Sequence, residues 1–567
     1  MTKENKKENS FMKNVLILMC SQIMVKILGL VYRLVITNIE GFGDTGLGYY
    51  ASGYQIYTLL LAISSIGIPS VISKLVSEKL AVNDKKGAQR IFKISMAFFV
   101  GLGLILSFAL FFGSEWIATV IFNVPDTKYV MQVLSPAITF VAASAVFRGY
   151  FAGQNDMKPT SASQVLEQLF NCILSITFVY ALIGKEPYIM AAGGNLSTTC
   201  AIIISFMYLV MYYKKRKIDV SSAEEKINEE NINKENIENK VNNVNKETKK
   251  EVSTWKLLKS ILVLSVPVTM GSIISVVSPL IDTATVSRCI QTAFASMYPI
   301  KEELETYAMS MTGIMSKVDT IVGLPVAVNV AFATALIPMI STALAKKEMK
   351  VASKRMTFSM FASLLIILPA SFGFIALAEP ILKLIYPTAT AGKGVLILCS
   401  ISMIFIAMSH TTNGGLCGIN KTYVPTIALV VAIIIKFTMN ITLISNPNIG
   451  IYGAGMSSIV AQSTAFAICA IVLHKNLKLQ FEFKRMILMP IISSGLMGVI
   501  AHYTHKLMNI FLGNTISTLV AILIGGITYI AFILLFKVLK KEDILMIPYG
   551  TKIYDWLVKI GIYKEEK

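Results

Sequence analysis

From end to end, the chain alternates between blocks of about twenty mostly apolar residues and short polar phrases that close each block. A helix of ~20 apolar residues crosses the hydrocarbon layer of a bilayer, so each block predicts a membrane span. The pattern predicts about fourteen, at approximately 14–37, 50–73, 93–112, 130–147, 160–183, 189–213, 260–287, 317–342, 356–378, 394–412, 424–445, 451–473, 486–508 and 514–536. The fold class is therefore an all-α polytopic membrane protein.

One polar stretch differs from the rest. KKRKIDVSSAEEKINEENINKENIENKVNNVNKETKKEVS is rich in Lys, Glu and Asn and almost free of aromatics. It cannot bury enough apolar surface to offset the entropy of ordering it, which predicts a mobile linker over 214–255. The linker leaves six spans before it and eight after, and the two parts echo one another. IGIPSVIS (66–73) ends span two and LIPMIS (336–341) ends span eight. GYFAGQNDMKPT (149–160) follows span four and GGLCGINKTYVPT (414–426) follows span ten. GGNLST (193–198) opens span six and GAGMSS (453–458) opens span twelve. Three echoes in order, at an offset near 265, point to a duplicated six-helix unit. The expected organisation is an N-terminal six-helix lobe (1–213), the linker (214–255), a second six-helix lobe (256–475), two additional spans (476–538) and an interfacial tail helix (539–567). In that tail Ile553, Trp556, Leu557 and Ile560 fall on one helical face.

Composition supports the membrane reading and narrows the partners. The chain is 54% hydrophobic and 15% charged, with mean hydropathy +0.64, against the ~25% charged residues of an average soluble domain. The net charge of +19 comes from Lys and Arg placed between apolar blocks rather than gathered on one patch, so no nucleic-acid partner is expected. With both termini in the cytoplasm, most Lys and Arg fall in cytoplasmic loops, as basic loops resist translocation. A multi-pass protein of the cytoplasmic membrane, contacted by membrane lipids, is the expected setting. MTKENKKENSFMKNVLILMC mimics a signal peptide but lacks a small-residue cleavage site, so it reads as a retained first span. The seven cysteines lie scattered in apolar segments without CxxC or His pairing, which argues against a metal site or disulfide framework. No cofactor is expected. A coupling ion, Na⁺ or H⁺, is left open.

RGYFAGQNDMKPTSASQVLEQ, after the fourth span, resembles a signature of the stage V sporulation protein B group and its lipid II flippase relatives. That group lies within the multidrug/oligosaccharidyl-lipid/polysaccharide exporter superfamily. KILGLVYR in span one, IGIPSVISKLVSEK, LPVAVNVAFATALIPMIS in span eight and the tail KKEDILMIPYGTKIYDWL extend the likeness over nearly the whole chain. The resemblance implies two pseudo-symmetric six-helix lobes with two further helices. It also implies alternating-access translocation of an undecaprenyl-diphosphate-linked precursor, with spore cortex peptidoglycan as one destination, by a monomer and without enzymatic chemistry. Of the cations implied in span one, Lys26 matches the first position and Arg33 falls one residue from the second. Span two offers no equivalent, and Thr320 stands where a span-eight arginine would align.

Ionisable residues inside or bordering spans are the candidate substrate contacts, because an isolated charge in hydrocarbon must face a cavity or a partner. They are Lys26 and Arg33 (span one), Glu167 (span five), Asp282 and Arg288 (span seven), Lys317 and Asp319 (span eight) and Lys436 (span eleven). Cations outnumber anions, which suits a diphosphate headgroup bound by charge-assisted donors. Six have a structural alternative: Arg288, Lys317 and Asp319 at the external surface, Asp282 and Arg288 as partners of other helices, Glu167 fixing span five, and Lys436 paired with an unseen acid, which leaves Lys26 and Arg33 as the leading pair. Arg148, at the end of span four, is placed to snorkel toward lipid phosphate. Two other function classes compete. A cation-coupled multidrug exporter of the same architecture should show carboxylates dominating its spans. A membrane-embedded glycan polymerase or ligase needs paired acids in a long external loop, and 288–316 offers only Glu302, Glu303 and Glu305.

Overall fold

The computed structural model describes residues 21, 24–232, 254–545, 551, 554–555 and 558. The start of the first span and the tail positions Ile553, Trp556, Leu557 and Ile560 lie outside them. Every regular element among the described residues is helical. After α1 (24–37) come α2 (Gly43–Leu61), α3 (Ile68–Ala81), α4 (Lys85–Ile117), α5 (Thr127–Gly153), α6 (Lys158–Ala181) and α7 (Pro187–Ile232). Then follow α8 (Thr254–Phe294), α9 (Lys301–Ala345), α10 (Met349–Ala376), the short α11 (Ala378–Ile385), α12 (Lys393–Gly418), α13 (Tyr423–Ile444), α14 (Tyr452–Leu477), α15 (Met489–Leu535) and α16 (Lys541–Leu545).

Among the described residues, twelve stretches are long and apolar enough to cross a membrane. The second expected span is α2 and α3 joined through a π-helical turn at Ala62–Ile66, just before the Gly67–Pro69 step. The last, 484–535, is two helices. Gly513 takes φ 69, ψ 169 and interrupts α15; a residue with a Cβ is strained at such a φ. Beyond that break the chain folds back, so that Ala501 packs with Ala521 and His505 Nε2 lies 3.2 Å from Asn514 Oδ1. The start of the expected linker is helical. α7 continues as helix to Ile232, past the apolar residues and into the Lys/Glu-rich stretch, whose composition is also compatible with a solvated helix.

The described chain forms two compact units that do not follow linear order. One comprises 24–36, 52–120 and 125–276, apart from the undescribed residues; the other comprises 37–51, 121–124 and the residues from 277 onward. In the first, α5 is the central helix, and its core joins Ile72, Val76, Phe92, Phe147, Phe151 and Leu209. In the second, Met356, Met408, Leu416, Ala461 and Leu473 form the equivalent core across α10, α12 and α14.

The duplication is visible in the turns. After α3, Asn83 adopts φ 56 and Asp84 N–H donates to Lys79 C=O; after α9, Lys347 adopts φ 60 and Glu348 N–H donates to Ala343 C=O. After α5, Asn155 adopts φ 59 and Asp156 N–H donates to Phe151 C=O; after α12, Asn420 adopts φ 61 and Lys421 N–H donates to Leu416 C=O. Both pairs use the same left-handed helix ending at equivalent places, so the two lobes are copies of one architecture.

Candidate functional site: charges within the spans

In the first unit, α1 carries Lys26 exposed and Arg33 half-buried. Seven residues is nearly two helical turns, so both stand on one side of the helix. Arg33 Nε donates to Tyr32 Oη at 3.4 Å, and its guanidinium stands 5.8 Å from the centre of the Tyr54 ring, within the range of a cation–π contact.

Arg148 does not snorkel. It is the cation that Glu167 faces: its Nη2 donates to Glu167 Oε2 at 2.6 Å and to Ser205 Oγ at 3.2 Å, and its Nε donates to Ser163 Oγ at 3.1 Å. One guanidinium thus ties α5, α6 and α7 together. Its planar fork of donors can serve three acceptors at once, which a lysine ammonium at the end of a flexible stem would do less well.

In the second unit, Lys436 has found its acid. Its Nζ donates to Asp282 Oδ2 at 2.5 Å and to Ser278 Oγ at 3.4 Å. Asn440, one turn further on α13, donates to Asp282 Oδ1 at 3.1 Å and to Thr285 Oγ1 at 2.8 Å, and accepts from Ser457 Oγ of α14. Asp282, Lys436, Asn440 and Ser457 are all buried. A buried ion pair persists when further hydrogen bonds occupy the remaining lone pairs, and this one has them. The first unit holds an uncharged counterpart. Ser197 Oγ of α7 donates to Asn171 Oδ1 at 2.7 Å and lies 2.6 Å from Ser175 Oγ, so Asn171, Ser175 and Ser197 stand where Lys436, Asn440 and Ser457 stand in the other copy.

Lys317, a candidate contact with the external surface as its structural alternative, is fully buried. Its Nζ donates to Asp44 Oδ1 at 2.6 Å, Asp44 Oδ2 at 2.9 Å and Ala389 C=O at 2.6 Å, beneath the Tyr386 ring. Asp44 reaches it because the first residues of α2 lie directly on α9. A Cβ on Gly48 would sit 1.9 Å from Met309 O, and one on Gly313 would sit 1.7 Å from Asp44 O. Only glycine permits two backbones that close, the small-residue packing typical of membrane helices. Asp44 escaped the sequence reading because it falls between the first two expected spans, 14–37 and 50–73; the glycines of GFGDTGLG that bracket it were the available signal. Arg288 and Asp319 are exposed.

Of the eight candidate contacts, Glu167, Asp282, Lys317 and Lys436 are thus bound into their own unit, while Lys26, Arg33, Arg288 and Asp319 remain at least partly accessible. The six described cysteines are free thiols, and no group of three or more His, Cys, Asp or Glu stands close enough among the described residues to hold a metal ion.

Known proteins agree with this architecture. Residues 249–525 match the lipid II flippase MurJ family. Three Bacillus subtilis (strain 168) proteins align over nearly their full length. The uncharacterized membrane protein YabM is 26% identical over 95% of this chain and 94% of its own. Stage V sporulation protein B is 24% identical over 95% and 98%, and the lipid II flippase MurJ is 24% identical over 89% and 91%. Among solved structures, lipid II flippase MurJ in an inward closed conformation superposes with TM-score 0.65 at 17% identity, over 92% of this chain and 98% of that one. An inward-facing multidrug-resistance MATE transporter of the MOP superfamily gives TM-score 0.62 at 14% identity, over 80% and 94%. Those whose names state an activity are flippases and transporters rather than enzymes, and residues 11–344, more than half of the sequence, match one family throughout: the chain belongs to the polysaccharide biosynthesis protein family.

Proposed function

We propose that the protein translocates an undecaprenyl-diphosphate-linked cell-wall or polysaccharide precursor across the cytoplasmic membrane by alternating access, with Lys26 and Arg33 as headgroup contacts. The observation that carries this reading is the sorting of the intramembrane charges. Glu167, Asp282, Lys317 and Lys436 are held by partners in their own unit, whereas α1 keeps two cations on one side in accessible positions. A diphosphate gains charge-assisted hydrogen bonds from such donors, at roughly 1.5–3 kcal/mol each. The lipid II flippase match over 249–525 supports the substrate class. Lys and Arg crowd the loops on the side of the 214–253 segment, which supports placing that side and both termini in the cytoplasm.

The MATE-like fold also hosts drug export, and cation export is the second reading. The accessible span charges favour the first, because cations outnumber anions among them. The test is translocation of fluorescent lipid-linked precursor by purified protein in liposomes. Wild type should move it, and Lys26→Gln and Arg33→Gln should each reduce the rate tenfold or more at unchanged thermal stability. Normal transport by both variants, or precursor movement no faster than in protein-free liposomes, overturns the proposal.

A further inference from the structure

The second unit contains a cavity of about 970 Å³ that none of the charges above touches. It lies where spans end, between the start of α10, the end of α14, the 478–485 connection and residues 540–543. Its size is at the upper end of the ~300–1,000 Å³ typical of small-molecule sites. Part of its lining is an ionic lattice. Arg485 donates to Glu482 Oε2 at 3.0 Å, to Val538 C=O at 3.1 Å and to Asp543, while Lys540 Nζ donates to Glu482 Oε1 at 2.7 Å. Two acids and two bases satisfy one another there.

The remaining charged wall is basic. Lys350, Lys354 and Lys478 line it against Glu542 alone, which pairs with Lys354. Lys350 and Lys478 make no ion pair among the described residues. On α10, Lys350, Ser353, Lys354 and Thr357 recur at three- and four-residue spacing, so they share one face, and all four line the cavity. Thr357 is 5% exposed, yet its hydroxyl has no hydrogen-bond partner among the described residues. A buried unsatisfied hydroxyl costs about 1–3 kcal/mol, and a helical Thr ordinarily bonds back to its own preceding turn. Met349 and Phe481, which also line the cavity, leave large apolar surfaces exposed, and the buried Phe358 and Met486 add to the apolar lining.

We propose that this cavity binds an anionic phospholipid, with the phosphate held by Lys350, Lys478 and the Thr357 hydroxyl and the first acyl carbons lying against Met349 and Phe481. A net-basic wall beside an apolar one, at the level where spans end, is complementary to a phosphodiester joined to acyl chains and not to a zwitterionic or wholly soluble ligand. The inference does not rest on the transport reading, and its assay involves no transport.

The experiment is native mass spectrometry of the purified full-length protein in detergent. It is titrated with phosphatidylglycerol, with phosphatidylcholine and with glycerol phosphate. Phosphatidylglycerol should be retained at least tenfold more tightly than phosphatidylcholine, and Lys350→Gln/Lys478→Gln should remove that preference. Thr357→Val, which deletes the orphan hydroxyl at nearly constant volume, should weaken phosphatidylglycerol severalfold while leaving or raising the lipid-free unfolding temperature. Equal retention of the two lipids, or unchanged preference in both variants, overturns the proposal. Glycerol phosphate binding as tightly as phosphatidylglycerol would overturn the lipid source and assign the cavity to a soluble phosphorylated ligand.

Discussion

Replacing Lys317 by Met keeps the length of the side chain and removes its charge from a fully buried site. Three hydrogen bonds go with it, two donated to Asp44 and one to Ala389 C=O. Asp44, with 11% of its side chain exposed, is then an anion without its cation and almost without water. Removing one partner of a buried pair typically costs about 3–5 kcal/mol, most of it the uncompensated charge. Asp44→Asn leaves the complementary orphan, an ammonium with one carbonyl, and should cost a similar amount. The double variant Asp44→Asn/Lys317→Met has no buried charge and should recover most of the loss. A coupling energy of about 2–3 kcal/mol or more is therefore expected, where independent sites add within ~0.5 kcal/mol. The assay is thermal unfolding of purified protein in detergent, with both single variants melting on the order of 5–10 °C below wild type and the double variant in between. Single variants that melt with wild type, or losses that add in the double, would refute the reasoning and leave the pair as an energetically idle contact.

The Gly48–Met309 and Gly313–Asp44 contacts predict that Gly48→Ala or Gly313→Ala forces the helices apart and costs about 1–3 kcal/mol or more by overpacking. Gly271→Ala, where a Cβ meets open space, should leave the melting temperature unchanged or raised. Arg148→Met should destabilise by about 3–5 kcal/mol because it strands Glu167, whereas Arg148→Met/Glu167→Gln should be milder, read in the same melting assay. In the connection between α10 and α12, hydrogen bonds from Lys383 and Lys393 hold the Glu379 carboxyl down to about 2. A depressed folded-state value stabilises above the ordinary carboxylate range and is lost as pH falls from there toward about 2. The difference in melting temperature between wild type and Glu379→Gln should be present at pH 6 and fade across that window.

Hydrophobic periodicity made the helices legible because in a bilayer each span is its own long apolar block, and lobe duplication was legible because turn chemistry recurs at fixed offset. Asn155 and Asn420 keep the same left-handed helix ending in both copies, and the phrases GQND (153–156) and GINK (418–421) advertise it. Partnerships between charges were not legible. Nothing in the string places Asp282 beside Lys436 or Asp44 beside Lys317, since those distances are set by helix packing across more than a hundred residues of chain. A count of cations against anions therefore treated structural pairs and accessible groups alike, and only packing separated them. The end of α7 was not legible for a different reason: Lys/Glu-rich composition excludes a buried core but leaves a solvated helix open.

The charged nest of the second unit and its neutral twin in the first have different futures under mutation. At Asn171, Ser175 and Ser197, one polar side chain can be exchanged for another with a loss near that of a single hydrogen bond, about 0.5–1.5 kcal/mol. At Asp282 and Lys436, any lone neutralising change leaves a buried ion and costs several times more, a large share of the roughly 5–15 kcal/mol by which folded proteins are stable. The two residues can leave only together. Once a duplicated chain acquires such a pair in one copy, the way back is narrow, so descent alone would keep the copies asymmetric there even if transport made no use of the charges.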